Sequence, residues 1–307
     1  MKILITGCGG FLGTVLVKRL LDHGHQVRVL DNLFRKADYL ISLGEYSNFE
    51  FQYGDVINRD NVEVAMNGVD AVVHLAALVG EPICRKMYDM ATLVNIEGTY
   101  NVCNSKPKDV PLIFASTGSV YGKVEGICTE NSPLNALSHY AKTKIAAEQQ
   151  VNKTSNSIIY RFSTAFGVSG NMRVDLLVND LSYKAVHEKS MVMFQPDFRR
   201  SFVHCRDIAS AIEFGILNYQ KMVGDIYNVG HEKGNWTKRQ LAEYLKEKTG
   251  CFVAYADKGY VDPDQRDYEI DFSKMSDLGW DAQVSVEQGI DELLKIAHLI
   301  KIVHNYM

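Results

Sequence analysis

The strongest constraint on the fold of this chain is a glycine-rich turn close to its N-terminus. Gly7, Gly10 and Gly13 follow the strand-like run Lys2–Thr6 and open a helical pattern. Gly7 permits a tight turn, Gly10 lets a pyrophosphate approach the backbone, and Gly13 allows close packing of helix on sheet. Asp31 ends the next strand, where a carboxylate accepts hydrogen bonds from ribose hydroxyls and repels a 2′-phosphate. The order of these features predicts a dinucleotide-binding unit that uses NAD rather than NADP.

Short apolar runs alternate with longer helical patterns through the first half of the chain, as in a parallel sheet with helical crossovers. The predicted strands are Lys2–Thr6, Val27–Asp31, Glu50–Tyr53, Ala71–Leu75, Leu112–Ser116 and Ile158–Phe162. Helices are predicted after the glycine turn and near 58–67, 89–105 and 139–152. The alternation predicts an α/β fold built on a Rossmann-type, doubly wound parallel sheet.

The second half is less regular and predicts a smaller, discontinuous C-terminal substrate domain. A loop-rich segment, 164–199, comes first. A strand-helix pair over Ser201–Leu217 is predicted to return to the sheet, and Asp225–Val229 is its last predicted strand. Helices over Thr237–Lys248 and Val286–His304 follow, with a strand at Phe252–Tyr255 between them. The predicted domains are therefore 1–163 plus 200–229 for the cofactor, and 164–199 plus 230–307 for the substrate.

Charge and cysteine content narrow the class of protein. The 33 basic and 37 acidic residues are spread along the whole chain, which predicts no nucleic-acid footprint. The longest uncharged stretch, 110–122, is shorter than the ~20 apolar residues of a membrane helix, and the N-terminus does not read as a signal peptide. Six cysteines at irregular spacing, none in a C-x-x-C pair, predict reduced thiols, no metal site and a cytoplasmic location.

A tyrosine and a lysine share one face of the predicted helix 139–152. Tyr140 and Lys144 are separated by about one helical turn, which places their Cβ atoms roughly 6 Å apart. A phenol with a pKa near ~10 is a poor base at neutral pH, and a neighbouring ammonium group lowers that pKa by stabilising phenolate. The pair is therefore either a proton-abstracting site, with Tyr140 as the base for a substrate hydroxyl, or an ordinary helix face.

With these motifs the chain resembles, over nearly its whole length, the extended short-chain dehydrogenases/reductases of the nucleotide-sugar epimerase/dehydratase family. The resemblance rests on the glycine turn, on the Tyr140-x-x-x-Lys144 pair and on further short motifs: Asp31-Asn32-Leu33, Gly54-Asp55, His74-Leu75-Ala76-Ala77, Asn95-x-x-Gly98-Thr99, Ser116-Thr117-Gly118-Ser119-Val120-Tyr121-Gly122, Arg161-Phe162, Phe202-Val203-His204 and Arg266-Asp267. It implies an NAD-dependent enzyme that acts on a nucleotide-diphosphate sugar. It also implies a homodimer that pairs through the helices at 89–105 and 139–152.

The resemblance also implies roles for individual residues. Thr117, Tyr140 and Lys144 are implied to be catalytic, with the Thr117 hydroxyl donating to the C4 oxygen of the sugar and Lys144 also reaching the nicotinamide ribose. The residues implied to contact the cofactor are Gly7, Gly10, Phe11, Leu12, Gly13, Asp31, Asn32, Asp55, Val56, Leu75, Ala76, Ala77, Asn95, Ser116, Tyr140, Lys144 and Phe162. Those implied to hold the substrate, with Arg200 and Arg266 on the diphosphate, are Thr117, Thr164, Arg173, Arg200 and Arg266.

Several of these residues have a plainer interpretation from the sequence alone. Asp55 either bonds the adenine amino group or closes a turn, and Thr117 either acts on the substrate or caps the end of its strand. Asn95 is either a helix-interior amide or, by the resemblance, the residue that orders the helix beside the site. Arg200 and Arg266 read from composition as solvated surface charges.

Departures from the family pattern bear on the reaction. Gly118-Ser119 stands where 4,6-dehydratases of the family carry Asp-Glu, and Thr164 stands where its typical 4-epimerases carry Asn. The stretches 173–180 and 262–268 resemble a bacterial subgroup associated with surface-polysaccharide sugars, including GDP-heptose 4-dehydrogenases. We expect an NAD-dependent nucleotide-sugar 4-epimerase that works through a transient 4-keto sugar. The alternatives are a nucleotide-sugar 4-dehydrogenase that releases the keto sugar, for example on a GDP-heptose, and a catalytically idle NAD-binding protein.

Overall fold

Seven parallel strands form the main sheet of the computed structural model, which describes residues 1–35, 38–124, 126–154, 156–256 and 267–300. In chain order the described strands are β1 (Lys2–Thr6), β2 (Gln26–Asp31), β3 (Phe49–Tyr53), β4 (Ala71–His74), β5 (Leu112–Thr117), β6 (Ile127–Cys128), β7 (Ser157–Phe162), β8 (Thr164–Phe166), β9 (Ser190–Phe194), β10 (Arg199–His204), β11 (Ile226–Val229), β12 (Asn235–Thr237), β13 (Phe252–Ala256) and β14 (Glu269–Ile270). The described helices are α1 (Phe11–Asp22), α2 (Arg59–Met66), α3 (Glu81–Lys86), α4 (Tyr88–Thr92), α5 (Gly98–Ser105), α6 (His139–Val151), α7 (Leu177–His187), α8 (Cys205–Leu217), α9 (Tyr219–Met222), α10 (Lys238–Thr249), α11 (Ser273–Ser276) and α12 (Val286–Ile296). All the strands predicted in the first half lie in the main sheet.

The main sheet has the strand order β11-β7-β5-β4-β1-β2-β3, and every neighbouring pair is parallel. The chain winds outward from β1 to β3, restarts at β4 beside β1, and winds to β11 in the other direction. The strand order therefore reverses between β1 and β4. Open α/β sheets bind ligands at the carboxyl ends of the strands where the order reverses. This order confirms the predicted doubly wound, Rossmann-type sheet.

Helices cover both faces of the main sheet because its inner strands are apolar on both sides. In β1, Ile3 and Ile5 contribute to one core cluster and Leu4 to another, as the two-residue period of a strand requires. Helices α1 and α8 complete the first cluster, and α2, α5 and α6 complete the second. The apolar strands are thus buried between two helical layers.

The remaining strands form three small sheets, with the orders β12-β10-β8, β13-β9 and β14-β6. The expectation that the strand of Ser201–Leu217 returns to the main sheet is wrong. That strand, β10, pairs in parallel with β8 and antiparallel with β12, because β11 already occupies the edge of β7. Only the helix of this pair returns, since α8 packs in the first core cluster with α1.

Segment 164–199 is not the loop-rich stretch that the sequence predicted, because it contains β8, α7 and β9. Its glycines and Pro196 obscure a helical spacing of apolar residues. Val178, Leu181 and Ala185 are buried on one face of α7, in a cluster that also includes residues of α10 and α12. This third cluster is the core of the C-terminal part of the chain.

The last helix is shorter than predicted. α12 ends at Ile296 and a 3₁₀ turn follows at Ala297–Leu299, whereas 301–304 of the predicted helix lie outside the described residues. No helix in the described part of the chain combines the length and the apolar character needed to cross a membrane.

Candidate active site

A cavity of about 1370 Å³ lies at the carboxyl ends of β1, β2, β4 and β5 and extends to β9 and β13. The predicted site residues that line it are Gly7, Gly10, Phe11, Leu12, Gly13, Asp31, Asn32, Asp55, Val56, Leu75, Ala76, Ala77, Ser116, Thr117, Tyr140, Lys144, Phe162, Thr164, Arg173 and Arg200. Asn95 does not line the cavity, and Arg266 lies outside the described residues. The predicted cofactor and substrate ends therefore belong to one continuous space.

Two positions of the glycine turn between β1 and α1, Gly7 and Gly13, have no room for a side chain. Gly7 has a φ of 75°, and a Cβ there would lie 2.5 Å from the Cα of Ala76. A Cβ at Gly13 would overlap the carbonyl group of Cys8. Helix α1 begins after Gly10, which offers no side-chain cap to the first-turn N–H groups. Such a helix N-terminus binds anions through its N–H groups and its positive dipole end, so the turn fits a pyrophosphate.

Asp31, at the end of β2, directs its carboxylate toward the glycine turn. Its Oδ2 accepts the N–H of Gly9 and its Oδ1 accepts the N–H of Leu33, both at 2.8 Å. Burial raises the pKa of Asp31, and the two backbone donors oppose that rise by stabilising the carboxylate. A carboxylate oxygen accepts more than one hydrogen bond, so both oxygens retain capacity for ribose hydroxyls.

Asp55 closes the turn after β3, as its plainer interpretation predicted. Its Oδ1 accepts the N–H of Ile57 at 3.0 Å, and its Oδ2 accepts Nδ2 of Asn32 at 2.6 Å. Both Asp55 and Asn32 line the cavity. A contact with the adenine amino group stays a prediction.

Tyr140 and Lys144 lie on the side of α6 that faces the cavity. The helix begins after Ser138, whose hydroxyl accepts the N–H of Ala141 at 3.2 Å. A carboxylate oxygen of Glu81, another cavity residue, accepts the N–H of Tyr140 at 3.2 Å. Tyr140 is 8% exposed and Lys144 is 4% exposed. Two side-chain acceptors therefore fix the backbone at the start of the helix that carries Tyr140.

The surroundings of Lys144 disfavour its charge. Burial lowers the pKa of Lys144 to about 7, although the carboxylate of Glu148, one turn farther along α6, opposes this shift. The Nζ atom lies 4.1 Å from the centroid of the Phe114 ring, at a distance where the ring face attracts a cation. Lys144 thus exchanges its proton in the neutral pH range, where a solvated lysine stays charged.

Thr117 is the last residue of β5, and its hydroxyl both caps a turn and lines the cavity. Oγ1 donates to Oγ of Ser119 and accepts the N–H of the same residue, both at 3.2 Å. These bonds close the 3₁₀ turn Gly118–Tyr121, which is the plainer role expected for Thr117. A hydroxyl donates by rotating about its C–O bond, so the same group can turn toward a substrate oxygen.

Asn95 supports the cavity wall from behind. It lies in a π-helical turn, Leu93–Glu97, that interrupts the predicted helix 89–105. Its Oδ1 accepts the N–H of Leu78 at 2.8 Å, and its Nδ2 donates to the Leu78 carbonyl at 3.0 Å and to the Thr143 hydroxyl at 2.9 Å. The amide of Asn95 faces the interior and links the loop after β4 to α6. The prediction that Asn95 contacts the cofactor is therefore not supported, because its side chain does not line the cavity.

The two histidines of the sequence motifs, His74 and His204, are buried in the protein interior. His74 Nδ1 lies 2.7 Å from Thr6 Oγ1 and Nε2 lies 3.0 Å from Thr99 Oγ1, while burial lowers the pKa of His74 to about 3. His204 precedes α8, and its Nδ1 accepts the N–H of Arg206 at 3.2 Å. Among the residues that the structure describes, no group of three or more His, Cys, Asp and Glu side chains is placed to hold a metal ion.

A buried ion pair next to α6 was missed by the sequence analysis. Arg161 donates to both carboxylate oxygens of Glu148, with Nη2 2.8 Å from Oε2, and each side chain is 3% exposed. The Ser116 hydroxyl donates to the same carboxylate, and Nη1 of Arg161 donates to the Tyr121 hydroxyl at 3.2 Å. The sequence signal for this pair was the position of Glu148 one turn after Lys144, on the inner face of the predicted helix.

The sequence model of the NAD-dependent epimerase/dehydratase family matches residues 3–230. The chain belongs to this family. The CDP-paratose 2-epimerase of Salmonella typhi is 26% identical in an alignment that covers 95% of this chain and 98% of that protein. The UDP-glucose 4-epimerase of Bacillus subtilis is 26% identical in an alignment that covers 94% of this chain and 94% of that protein. The UDP-glucuronic acid 4-epimerase of Bacillus cereus, solved with UDP-glucuronic acid and NAD, has a TM-score of 0.88 at 24% identity and spans 98% of this chain and 100% of that one. The resemblance read from the motifs is confirmed.

NAD is the cofactor of this NAD-dependent epimerase/dehydratase, and the residues present fit it. The packing at Gly7 and Gly13 excludes side chains from the turn that faces a pyrophosphate. The Asp31 carboxylate beside this turn matches ribose hydroxyls and opposes a 2′-phosphate. Gly10, Phe11 and Leu12 lead from the turn into α1 along the cavity wall.

Two of the arginines predicted to bind substrate, Arg173 and Arg200, line the cavity. Arg200 in β10 is 2% exposed and donates to the carbonyl of Arg199 at 3.2 Å. Arg173 is ion-paired with Asp175, with Nε 3.0 Å from Oδ1. Arg200 is therefore not the solvated surface charge that composition suggested, and its planar guanidinium suits phosphate oxygens. Thr164 opens β8 and lines the same cavity.

One part of the cavity wall is formed by residues from the second half of the chain that the sequence motifs do not include. They come from α7, β9 and β13 and include Leu181, Met191, Met193 and Ala254. The available signal was an alternation in β9, where Met191 and Met193 are buried and Val192 is exposed. This alternation was hidden within a segment that was read as a loop.

Proposed function

We propose that this NAD-dependent epimerase/dehydratase is a nucleotide-sugar 4-epimerase that works through a transient 4-keto sugar. The observation that carries the proposal is that Thr117, Tyr140 and Lys144 line the same cavity as the glycine turn and Asp31. The first three supply acid–base chemistry at a sugar carbon, and the turn and its acid fit a dinucleotide. One cavity can thus hold the sugar and the cofactor together.

Tyr140 is the base of the proposed reaction. Its phenolate takes the proton of the C4 hydroxyl, and Lys144, one turn away on α6, stabilises the phenolate when charged. The Thr117 hydroxyl donates to the C4 oxygen and holds it at the phenol. When bound, NAD would accept the hydride of C4 and, once the 4-keto sugar has turned over in the cavity, would supply it to the opposite face of the sugar. Tyr140 then gives the proton back to the C4 oxygen, which restores both side chains.

The residues after Thr117 favour return of the hydride over elimination of water. Family members that eliminate water carry an acid and a base, Asp-Glu, directly after the catalytic threonine. Here Gly118 and Ser119 hold these positions, and the Ser119 hydroxyl is hydrogen-bonded to Thr117. Neither residue has a carboxyl group, so this position offers no acid–base pair for dehydration.

The nucleotide diphosphate is assigned to the arginine end of the cavity. Arg200 is buried in the wall and Arg173 lines it, and the family pattern adds Arg266, which lies outside the described residues. The proposal divides the chain into 1–163 plus 200–229 for NAD and 164–199 plus 230–307 for the nucleotide sugar. A homodimer and a place in polysaccharide biosynthesis are further parts of it.

We expect kcat/KM to rise with pH through about 7 and then to level off, because the pKa of Lys144 lies there. Lys144 loses its ammonium proton as the pH rises through this value, so the Tyr140–Lys144 pair as a whole can then accept the proton of the C4 hydroxyl. The pH–rate profile with a turned-over nucleotide sugar measures this. Lys142→Met, which changes an exposed lysine of the same helix, should leave the profile unchanged. A flat profile from roughly one pH unit below to two units above the expected value, that is from about pH 6 to about pH 9, would contradict the assignment.

The proposed function is tested by chromatography with mass spectrometry on reactions with UDP-, GDP-, CDP- and dTDP-sugars and NAD. A new peak with the mass of the substrate is expected, and the sugar nucleotide that yields it identifies the nucleobase that the protein recognises. A product lighter by two hydrogens, with an equal amount of NADH, would overturn the proposal in favour of a 4-dehydrogenase. Absence of any product with every sugar nucleotide would favour an idle NAD-binding protein.

A further inference from the structure

The loop after β4 brings a carboxylate to the cavity wall beside Tyr140. Glu81 is the first residue of α3 and lines the cavity, and its Oε2 accepts the N–H of Tyr140 at 3.2 Å. Gly80, the residue before it, has a φ of 98°, which lets the chain turn sharply from the loop into α3. The Glu81 carboxylate therefore joins the start of α3 to the start of α6.

Arg173, which the proposed function assigns to the nucleotide diphosphate, lies close to the same loop. Its Nη2 is 3.7 Å from the position that a Cβ would take at Gly80. Burial raises the pKa of the Cys84 thiol in α3 to about 12, and the charge of Glu81 adds to this rise. The charges of Lys144 and Arg173 oppose it. Coulombic interactions weaken with distance, so the carboxylate and both cations border one stretch of the wall.

The Glu81 carboxylate thus lies between the proposed base and an arginine of the diphosphate end, and it has hydrogen-bonding capacity left. A carboxylate has about four lone-pair sites, and among the described residues the N–H of Tyr140 is the one donor that the Glu81 side chain accepts. Arg85, about one turn farther along α3, also lines the cavity, but within the described ranges it forms no ion pair with Glu81. A sugar that fills the cavity displaces water from the carboxylate, so the sugar has to supply the missing donors.

The place of Glu81 on the wall corresponds to one edge of the sugar ring. In the proposed reaction C4 of the sugar lies at Tyr140, and the diphosphate, attached at C1, lies at the arginine end. One ring edge between C4 and C1 carries the C3 and C2 hydroxyl groups, which are donors. The other edge carries the C6 branch and the ring oxygen, and the ring oxygen is an acceptor that a carboxylate repels. A carboxylate therefore matches the C2–C3 edge, as the Asp31 carboxylate matches the hydroxyl groups of a ribose.

We propose that Glu81 is a specificity-determining residue that accepts hydrogen bonds from the C2 and C3 hydroxyl groups of the sugar. The assignment rests on the proposed function, which supplies the positions of C4 and of the diphosphate. The substrates are then nucleotide sugars with free hydroxyl groups at both carbons. A sugar that lacks either hydroxyl group binds poorly, because it leaves the cavity carboxylate without a donor.

The test is a set of binding constants, measured by calorimetry on the NAD-loaded full chain with Tyr140→Phe, in which the sugar is bound without turnover. UDP-glucose, GDP-mannose, CDP-glucose and dTDP-glucose are titrated first. The one that binds most tightly is then compared with its 2-deoxy, 3-deoxy and 6-deoxy analogues. The 2-deoxy and 3-deoxy analogues are each expected to bind roughly 10- to 100-fold more weakly than the parent compound, the range for a lost hydrogen bond to a charged group.

The same titrations are made with Glu81→Gln added. Glutamine keeps an oxygen that accepts the N–H of Tyr140 but has no charge, so the losses for the 2-deoxy and 3-deoxy analogues should shrink by about 5- to 10-fold. Glu81→Ala, which has neither oxygen, should bind these analogues and the parent compound almost equally. The matched control is Glu97→Gln, which changes an exposed carboxylate outside the cavity lining and should leave every loss unchanged.

Losses in Glu81→Gln and Glu81→Ala that equal those of the Tyr140→Phe protein would overturn the assignment. A dependence on Glu81 that appears only with the 6-deoxy analogue would overturn it too, because the carboxylate would then face the opposite edge of the ring. Failure of all four sugar nucleotides to bind would overturn the nucleotide-sugar proposal and this assignment with it. The titrations need no turnover, so their failure is distinct from failure of the 4-epimerase reaction, which the product assay detects.

Discussion

Tyr140→Phe is expected to lower turnover by about 10²- to 10⁴-fold, the contribution of a well-placed acid–base group. The substitution removes one oxygen from a side chain that is 8% exposed and keeps its aromatic ring, so the packing of α6 is preserved. NAD binding should change little, because the glycine turn and Asp31 are untouched. Turnover of a nucleotide sugar and NAD titration, measured on the same preparation, check both halves of this expectation.

The matched control for Tyr140→Phe is Tyr100→Phe, which changes a tyrosine of α5 that is 48% exposed and outside the cavity lining. Its turnover should equal that of the unaltered protein. Near-normal turnover in Tyr140→Phe would show that another group takes the proton from C4. A parallel loss of NAD binding would show that the tyrosine acts mainly on the cofactor.

Arg161→Met is expected to lower the free energy of unfolding by about 3–5 kcal/mol, the cost of leaving one partner of a buried ion pair uncompensated. Glu148 would keep its carboxylate at 3% exposure with the Ser116 hydroxyl as a remaining donor. Urea unfolding measures the change. The double variant Glu148→Gln/Arg161→Met should recover much of the loss, because it buries no unpaired charge.

An exposed ion pair provides the control for this experiment. Arg59 and Glu63 pair at the helix surface with side chains 63% and 47% exposed, so Arg59→Met should cost no more than about 1 kcal/mol. Equal losses in Arg59→Met and Arg161→Met would contradict the importance of burial. If the double variant is as unstable as Arg161→Met alone, the uncompensated charge of Glu148 is not the cause of the loss in unfolding free energy.

The main sheet was predictable because its signal is local. Parallel strands buried on both faces are nearly continuous apolar runs, so Leu112–Ser116 was read almost as the structure has it, Leu112–Thr117. The partner of β10 was not predictable, because it depends on which sheet edge the rest of the chain leaves open. Helix α7 was not predicted for a different reason. Val178, Leu181 and Ala185 recur at helical spacing, but the glycines that precede them led to the prediction of a loop.

The features of the candidate site fall into the same two groups, those that local spacing predicts and those that depend on the folded chain. The glycine turn and the Tyr140–Lys144 pair depend on spacing within one turn or one helix, so the sequence alone identifies them. The hydrogen bonds from Asn171 to Gly9 and the ion pair of Arg161 with Glu148 join residues from separate elements. Their partners become neighbours only after the sheet has formed, so local spacing can place Glu148 on the inner face of its helix but cannot identify Arg161 as its partner.

The edge of the main sheet limits how this chain can be divided or recombined. Its outermost strand on one side, β11, comes from residues 226–229, after the chain has built β8 to β10 elsewhere. In a fragment or chimera that omits β11, the strand Ser157–Phe162 becomes the edge of the sheet. All its residues are buried in the intact protein, and its N–H and C=O groups on that side would be unpaired. Such edges pair with other chains and aggregate. Exchanges of substrate-recognition segments between relatives therefore need to keep residues 226–229 together with the first 163 residues, despite their distance in sequence.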